Sequence, residues 1–250
     1  MKNTISYLIK KLAGAGFSLS IFFLFMLSTS NIDMYRFSKD ISNPLLWLAF
    51  FGYGFICSII IDFILSKFSQ NNLSTKVILY VVAGFSIFII FGFNLFTIIA
   101  GTIGAIAALL FYFGTVIANQ KSVIKYIFAF VMPILFLIIM NIDFTVKKQW
   151  SEVKKETSYS ASFDYFNGEQ QIPIKAKEGQ TISFSIEMNN DNGGGHGHHI
   201  LNEKGKLVPM IESTEKNMKF SVEKTGVYRV VVTGDDLKGS FSVDWKIEDL

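Results

Sequence analysis

Five stretches of this sequence are apolar for close to the length a lipid bilayer demands: Leu12 to Leu27, Leu45 to Leu65, Val77 to Phe93, Leu95 to Ala118 and Val123 to Met140. A hydrocarbon core about 30 Å thick takes roughly 20 residues at a rise of 1.5 Å each. Such a core offers no water to the backbone, so each crossing segment must close its own hydrogen bonds as a helix. The third and fourth stretches are nearly continuous, but about 40 residues are too many for one crossing. Phe91-Gly92-Phe93-Asn94 supplies the glycine and asparagine of a turn, which predicts a tight helical hairpin. Residues 1–146 are therefore expected to form an α-helical membrane bundle of about five spans.

Composition divides the chain at the same place. The whole sequence is 50% hydrophobic and 17% charged, with mean hydropathy +0.40, where a soluble domain carries about 25% charged residues. Residues 1–146 hold nine Lys/Arg and four Asp/Glu, and the remainder hold fourteen and sixteen. The polar half is thus slightly acidic, which argues against nucleic acid as a partner, since that requires a basic face. Cys57, the only cysteine, lies inside an apolar stretch. Disulfides, cysteine-based zinc clusters and lipidation after a signal peptide are accordingly excluded.

Lysine and arginine in short loops set orientation. With the amino terminus in the cytoplasm, that side holds Lys2, Lys10, Lys11, Lys67, Lys76, Lys121 and Lys125, and the other side only Arg36 and Lys39. An odd number of spans then puts the polar half outside the cytoplasm. The first segment also fits a signal peptide, because Lys10-Lys11, a short apolar core and Ser28-Thr29-Ser30 follow that plan. Cleavage would leave four spans and the same placement of the polar half. The expected localisation is the cell membrane, multi-pass, with the lipid bilayer as first partner.

Residues 147–157 are polar and charged and are expected to act as a stalk. Beyond them the period becomes two. Ser160, Ser162 and Asp164 alternate with Ala161, Phe163 and Tyr165, and Thr181, Ser183, Ser185 and Glu187 alternate with Ile182, Phe184, Ile186 and Met188. This marks half-buried strands. Further strands are expected at 170–176, 199–201, 206–210, 218–222, 227–233 and 240–247. Turns are expected at Asn167-Gly168, Glu178-Gly179, Asn202 to Gly205, Thr225-Gly226, Gly234-Asp235 and Lys238-Gly239. Residues 158–250 thus read as an antiparallel, extracytoplasmic β-sandwich. Its core should include Phe163, Ile182, Phe184, Ile186, Val230, Val232, Phe241, Val243 and Trp245.

Several short runs carry a family likeness: Glu178-Gly179-Gln180, Leu201 to Val208, Phe220-Ser221-Val222, Thr225 to Val232 and Gly239 to Val243. In their order this half resembles bacterial pre-peptidase C-terminal domains and their Golgi-dynamics-type relatives. The resemblance implies a jelly-roll-like sandwich appended to an exported or membrane protein, and binding rather than catalysis. It transfers no site residues.

All three histidines fall in Gly193-Gly194-Gly195-His196-Gly197-His198-His199. Imidazole is a common ligand for zinc, copper and nickel, and a glycine-rich loop can bring several rings to one ion. On an extended chain His196 and His198 share a face and His199 points away, so a site of all three requires a non-extended loop. Asp191 and Glu187 lie nearby in sequence. Asp62 is the one acid well inside an apolar stretch, a functional candidate by default. It stands five residues before Lys67, near the cytoplasmic edge, where water or Lys67 could satisfy it. In the fourth stretch Gly101, Gly104, Ala105 and Ala108 make a small-residue face for close helix packing, and Pro133 is expected to kink the fifth. No Gly-x-Ser-x-Gly, Gly-x-x-x-x-Gly-Lys or His-Glu-x-x-His motif occurs, so no enzyme activity and no resident cofactor are expected. The expected role is binding or sensing of a protein or cell-surface partner by the sandwich, with metal binding by the histidine loop, or a place in a membrane transport complex, as alternatives.

Overall fold

The computed structural model describes residues 2–67, 72–214 and 217–249. The chain divides into two compact units, Met1–Ile142 and Asp143–Leu250.

Five helices of the first unit are long and apolar enough to cross a membrane: Thr4–Thr29, Pro44–Lys67, Leu73–Phe91, Leu95–Gln120 and Ser122–Ile139. In finer detail these contain α1 (Lys2–Thr29), α3 (Pro44–Trp47), α4 (Phe55–Lys67), α5 (Leu73–Ser86), α6 (Leu95–Gln120), α7 (Ser122–Tyr126) and α8 (Met132–Ile139), and a short α2 (Met34–Ile41) follows α1. Asparagine or aspartate side chains accept hydrogen bonds from the first turns of α2, α3, α5 and α6, through Asp33, Asn43, Asn72 and Asn94. These caps satisfy amides that a helix start leaves without partners. The turn expected at Phe91 to Asn94 is present, with Gly92 at φ +80° and Asn94 capping Thr97. Pro133 is preceded by a π-helical turn, Ile127–Val131. Its ring nitrogen cannot donate to the carbonyl four residues back, and the widened turn takes up that defect. A second π-helical turn, Leu48–Gly54, joins α3 to α4.

Helix α1 is the most deeply packed of the five, with Ala15, Leu19 and Phe23 fully enclosed. Glycines let backbones touch. A Cβ on Gly16 would lie 1.8 Å from the Phe128 carbonyl oxygen, and one on Gly114 would lie 2.7 Å from Cβ of Phe17. The small-residue face of α6 packs inside the chain, against α5. A Cβ on Gly104 would lie 2.3 Å from the Gly84 carbonyl oxygen, and one on Gly84 equally close to that of Gly104.

The second unit is an antiparallel sheet of eight strands: β1 (Val146–Lys148), β2 (Ser151–Lys154), β3 (Ser158–Ala176), β4 (Thr181–Asn190), β5 (Gly195–Leu201), β6 (Glu212–Ser213), β7 (Met218–Ser221) and β8 (Gly226–Glu248). The 19-residue β3 and 23-residue β8 pair along almost their whole length. The first part of β3 pairs with β2 and with the second part of β8, which also holds β4. The later part of β3 pairs with β1 and with the first part of β8, which also holds β5. Beyond β4 lie β7 and β6.

Four expected features take a different form. The strand expected at 206–210 is reduced to an isolated bridge of Leu207 to Leu201. Asn167-Gly168 and the Gly234 to Gly239 region do not reverse the chain but bend continuing strands. Gly168 (φ +140°) and Gly239 (φ +137°) adopt backbone closed to other residues, and the β3–β8 register shifts on both sides of Phe166, so the two glycines border a bulged stretch in which the strands bend. Residues 147–157, expected as a stalk, mostly belong to the sheet as β1 and β2, joined by a bend with Gln149 at φ +50°. The glycine-histidine segment is strand β5, not a loop.

One hydrophobic core serves the whole sheet. Phe163, Ile182, Phe184, Val230, Val232, Phe241, Val243 and Trp245 are buried in it, and Ile186 packs partly buried against it. Phe220 of β7 meets Tyr228 of β8 at a ring separation of 5.5 Å.

Candidate functional site

Alternation along β3 and β8 sends Tyr159, Ala161, Phe163, Phe241 and Val243 into the core and leaves serines on the opposite face. Register aligns these serines into rows. Ser151, Ser162, Ser240 and Asn189 stand side by side across β2, β3, β8 and β4, and Val153, Ser160, Ser242 and Glu187 form the next row. The rows line a groove of about 430 Å³. Short side chains leave the floor open, and each hydroxyl can donate and accept. Glu187 adds one carboxylate. The arrangement is suited to hydrogen-bonding a polar partner laid across four strands.

The β1–β2 bend supports this groove from below. Trp150 stacks on Phe163 with ring centroids 5.1 Å apart and 13° between planes, and meets Phe166 edge-on at 5.2 Å. Its indole nitrogen donates to Glu152 Oε2 at 2.8 Å, and the Tyr159 hydroxyl donates to the same oxygen. These two donors hold the Glu152 carboxyl below its usual range. Burial, and then the same carboxylate, push the Tyr159 hydroxyl up. Lys147 Nζ lies 4.5 Å from the Trp150 ring centre, and burial lowers its affinity for a proton against the opposing pull of Glu152 and Asp143.

The three histidines lie on one extended strand. His196 pairs with Gly234, His198 with Val232 and His199 with Val231. Because Val232 belongs to the core, His196 and His198 occupy the core-bearing face and His199 the opposite one. The His198 ring meets Phe184 edge-on at 6.5 Å. Partial burial, then the neighbouring His199 and His196, lower its proton affinity. Among the described residues, no three His, Cys, Asp or Glu side chains come together as a metal-binding group. The extended geometry offers two imidazoles, His196 and His198, to any one ion approaching from one side.

In the helical unit Asp62 is answered by α1 rather than by Lys67. Lys11 Nζ lies 2.7 Å from Asp62 Oδ2, and the Tyr7 hydroxyl donates to that oxygen at 2.9 Å. Lys11 also donates to Ser58 Oγ at 2.8 Å, and Ser58 shares a 2.6 Å hydrogen bond with the Tyr80 hydroxyl. Lys11 is only 5% exposed. Beside this chain of contacts is a recess of about 240 Å³, also lined by Lys10, Lys76, Tyr112 and Asn119. A separate apolar cavity of about 160 Å³ lies among α5, α6 and the π-helical turn of the second span. Sequence periodicity gave no sign of the recess. Its one signal was Asp62, whose partner is 51 positions away in the chain.

No family model and no curated protein matches the sequence. Among solved structures, the chain is similar to Aeromonas hydrophila PliG, a periplasmic lysozyme inhibitor of g-type lysozyme, at 14% identity and a TM-score of 0.28. The match covers 38% of this chain and 93% of that one.

Proposed function

We propose that this chain is a multi-pass membrane protein that holds its β unit outside the cytoplasm as a recognition module, and that the serine-lined groove engages a polar partner at the cell surface. The observation that carries the reading is the β unit itself. Its core is closed by its own strands, while its opposite face presents two registered rows of hydrogen-bonding groups interrupted only by Val153. A surface of short hydroxyl side chains gives directional contacts with little side-chain entropy to lose on binding.

Orientation follows from the seven basic residues at one end of the bundle against two at the other before the last span. Retention of α1 is supported by its packing. Its removal would expose Leu19 and Phe23, break the Lys11–Asp62 pair, and strip Ser18 from the Ala107 carbonyl to which it donates at 2.7 Å. The jelly-roll designation rests on the resemblance in its strand and turn order.

One pair of variants tests both parts. In a Cys57→Ser background, Ser242→Cys should react with a membrane-impermeant maleimide on intact spheroplasts, without lysis. Labelling only after lysis would reverse the orientation. Photo-crosslinking from position 242 should yield a discrete adduct that disappears when the groove is filled by Ser160→Trp. An adduct unchanged by that filling would remove the groove from the reading.

A further inference from the structure

The recess in the membrane unit has a charge that the rest of the bundle does not explain. It gathers Lys10, Lys11 and Lys76 around a single carboxylate, Asp62. Lys11 is committed to Asp62 at 2.7 Å. Lys10 Nζ donates to the neutral Asn119 Oδ1 at 2.5 Å, and Lys76 has no ion-pair partner among the described residues. Of the four acids in residues 1–146, Asp33 and Asp40 follow the first span and Asp143 follows the fifth. The alternation of spans puts those three at the other end of the bundle.

The depth of the recess is equally specific. Tyr7 lies three residues inside the first span, Asp62 five before the end of the second, Lys76 three into the third and Asn119 next to the end of the fourth. At 1.5 Å per residue these groups sit within about 10 Å of the helix ends, the level of lipid headgroups. Tyr80 lines both the recess and the 160 Å³ apolar cavity, which continues with Cys57, Ala83, Phe88, Gly104 and Phe111. A polar, cationic recess and an apolar cavity thus share one side chain as a wall.

We propose that this recess binds the phosphate of an anionic phospholipid, with Lys10 and Lys76 as the charge partners and an acyl chain directed along the apolar cavity. Lysine acts as a point charge toward phosphate, and basic pockets between membrane helices suit anionic headgroups. The Asp62–Lys11–Ser58–Tyr80 chain fixes the wall of the recess before any ligand arrives, so little ordering remains to oppose binding. The inference rests on the bundle crossing a bilayer and is independent of its orientation.

The test uses the full chain in detergent micelles doped with phosphatidylglycerol or with phosphatidylcholine of identical acyl chains, and native mass spectrometry to count retained lipid. Phosphatidylglycerol should be retained at least about tenfold more tightly. The double variant Lys10→Gln with Lys76→Gln should bring it to the level of phosphatidylcholine, while Lys10→Arg with Lys76→Arg preserves the preference. Lys121→Gln, at the same end but outside the recess, should leave it intact. Inorganic phosphate and chain-free glycerophosphoglycerol should not displace the lipid. Equal retention of the two lipids, a double glutamine variant that behaves as wild type, or an equal loss in Lys121→Gln would overturn the proposal. Displacement by the chain-free phosphates would overturn the lipid as occupant. Release of the protein from membranes by alkaline carbonate would instead overturn the membrane reading beneath it.

Discussion

Lys11 carries the sharpest contrast between what a residue signals in the sequence and what it does. As one of seven basic residues near one set of helix ends it reads as a topology marker, yet it is enclosed and paired with Asp62. Burying the Lys11 charge without a partner would be costly, and the partly exposed Asp62 carboxylate answers it. No period or motif relates positions 11 and 62, because the pairing is made by helix packing. The histidines illustrate the converse: their division between two faces follows from the period of two, and only the adoption of an extended conformation remained to be settled. Glu152 was illegible in the sequence because its donors, Trp150 and Tyr159, meet it only when β2 lies on β3. Its carboxyl is held below the ordinary value of 4.5, so between those limits the unfolded chain binds more protons than the folded one. The stability it contributes is complete above about pH 4.5 and is lost as pH falls through the folded value. Thermal unfolding of residues 143–250 across that acid range should therefore show a decline that Glu152→Gln or Tyr159→Phe makes shallower. Parallel pH profiles for these variants and wild type would remove Glu152 from the account.

Elements were legible in proportion to how local their causes are. Each expected apolar stretch corresponds to a helix that begins at or before its expected first residue. Period-two runs gave β3, β4, β7 and β8 and most of the core, because alternation is written directly in neighbouring residues, whereas the run at 206–210 makes only an isolated bridge. Glycines misled, since the same freedom at positive φ that closes a hairpin also permits a bulge, and only the partner strand decides between them. The segment 147–157 misled for another reason. Its exposed, charged residues resemble a stalk, while Trp150, the one residue that inserts toward the aromatic core, is a lone signal among them. At the α5–α6 crossing the small-residue spacing was sufficient, because close backbone approach excludes a side chain at both Gly84 and Gly104. Gly104→Leu should force the helices apart and destabilise the bundle by about 1–3 kcal/mol, the usual range for overpacking. Measured by unfolding in mixed detergent, a variant as stable as wild type would mean that this crossing is looser than the contacts indicate.

At the scale of the whole molecule, the chain assigns two physical problems to two units. Residues 1–142 solve a solvent problem, with helices whose outward faces are apolar, and residues 143–250 close a core of their own. That division was the most legible feature of all, since composition and period change together near residue 146. The strand order within the β unit has a consequence for synthesis. β8 is the last strand, yet β3, β4 and β5 all hydrogen-bond to it. A growing chain emerges from its amino terminus, so β5 has no strand partner, and β3 and β4 lack their principal one, until residues 226–248 have followed. The unit must wait in an open state with unpaired strand edges, a form prone to aggregation and to proteolysis. Chains ended before Gly226 should be degraded rapidly in pulse-chase labelling, while chains carried through Glu248 should become protease-resistant within one cooperative step. Gradual acquisition of resistance with increasing length would contradict this. Wherever it folds, the nascent β unit keeps those edges open for as long as the last strand takes to arrive.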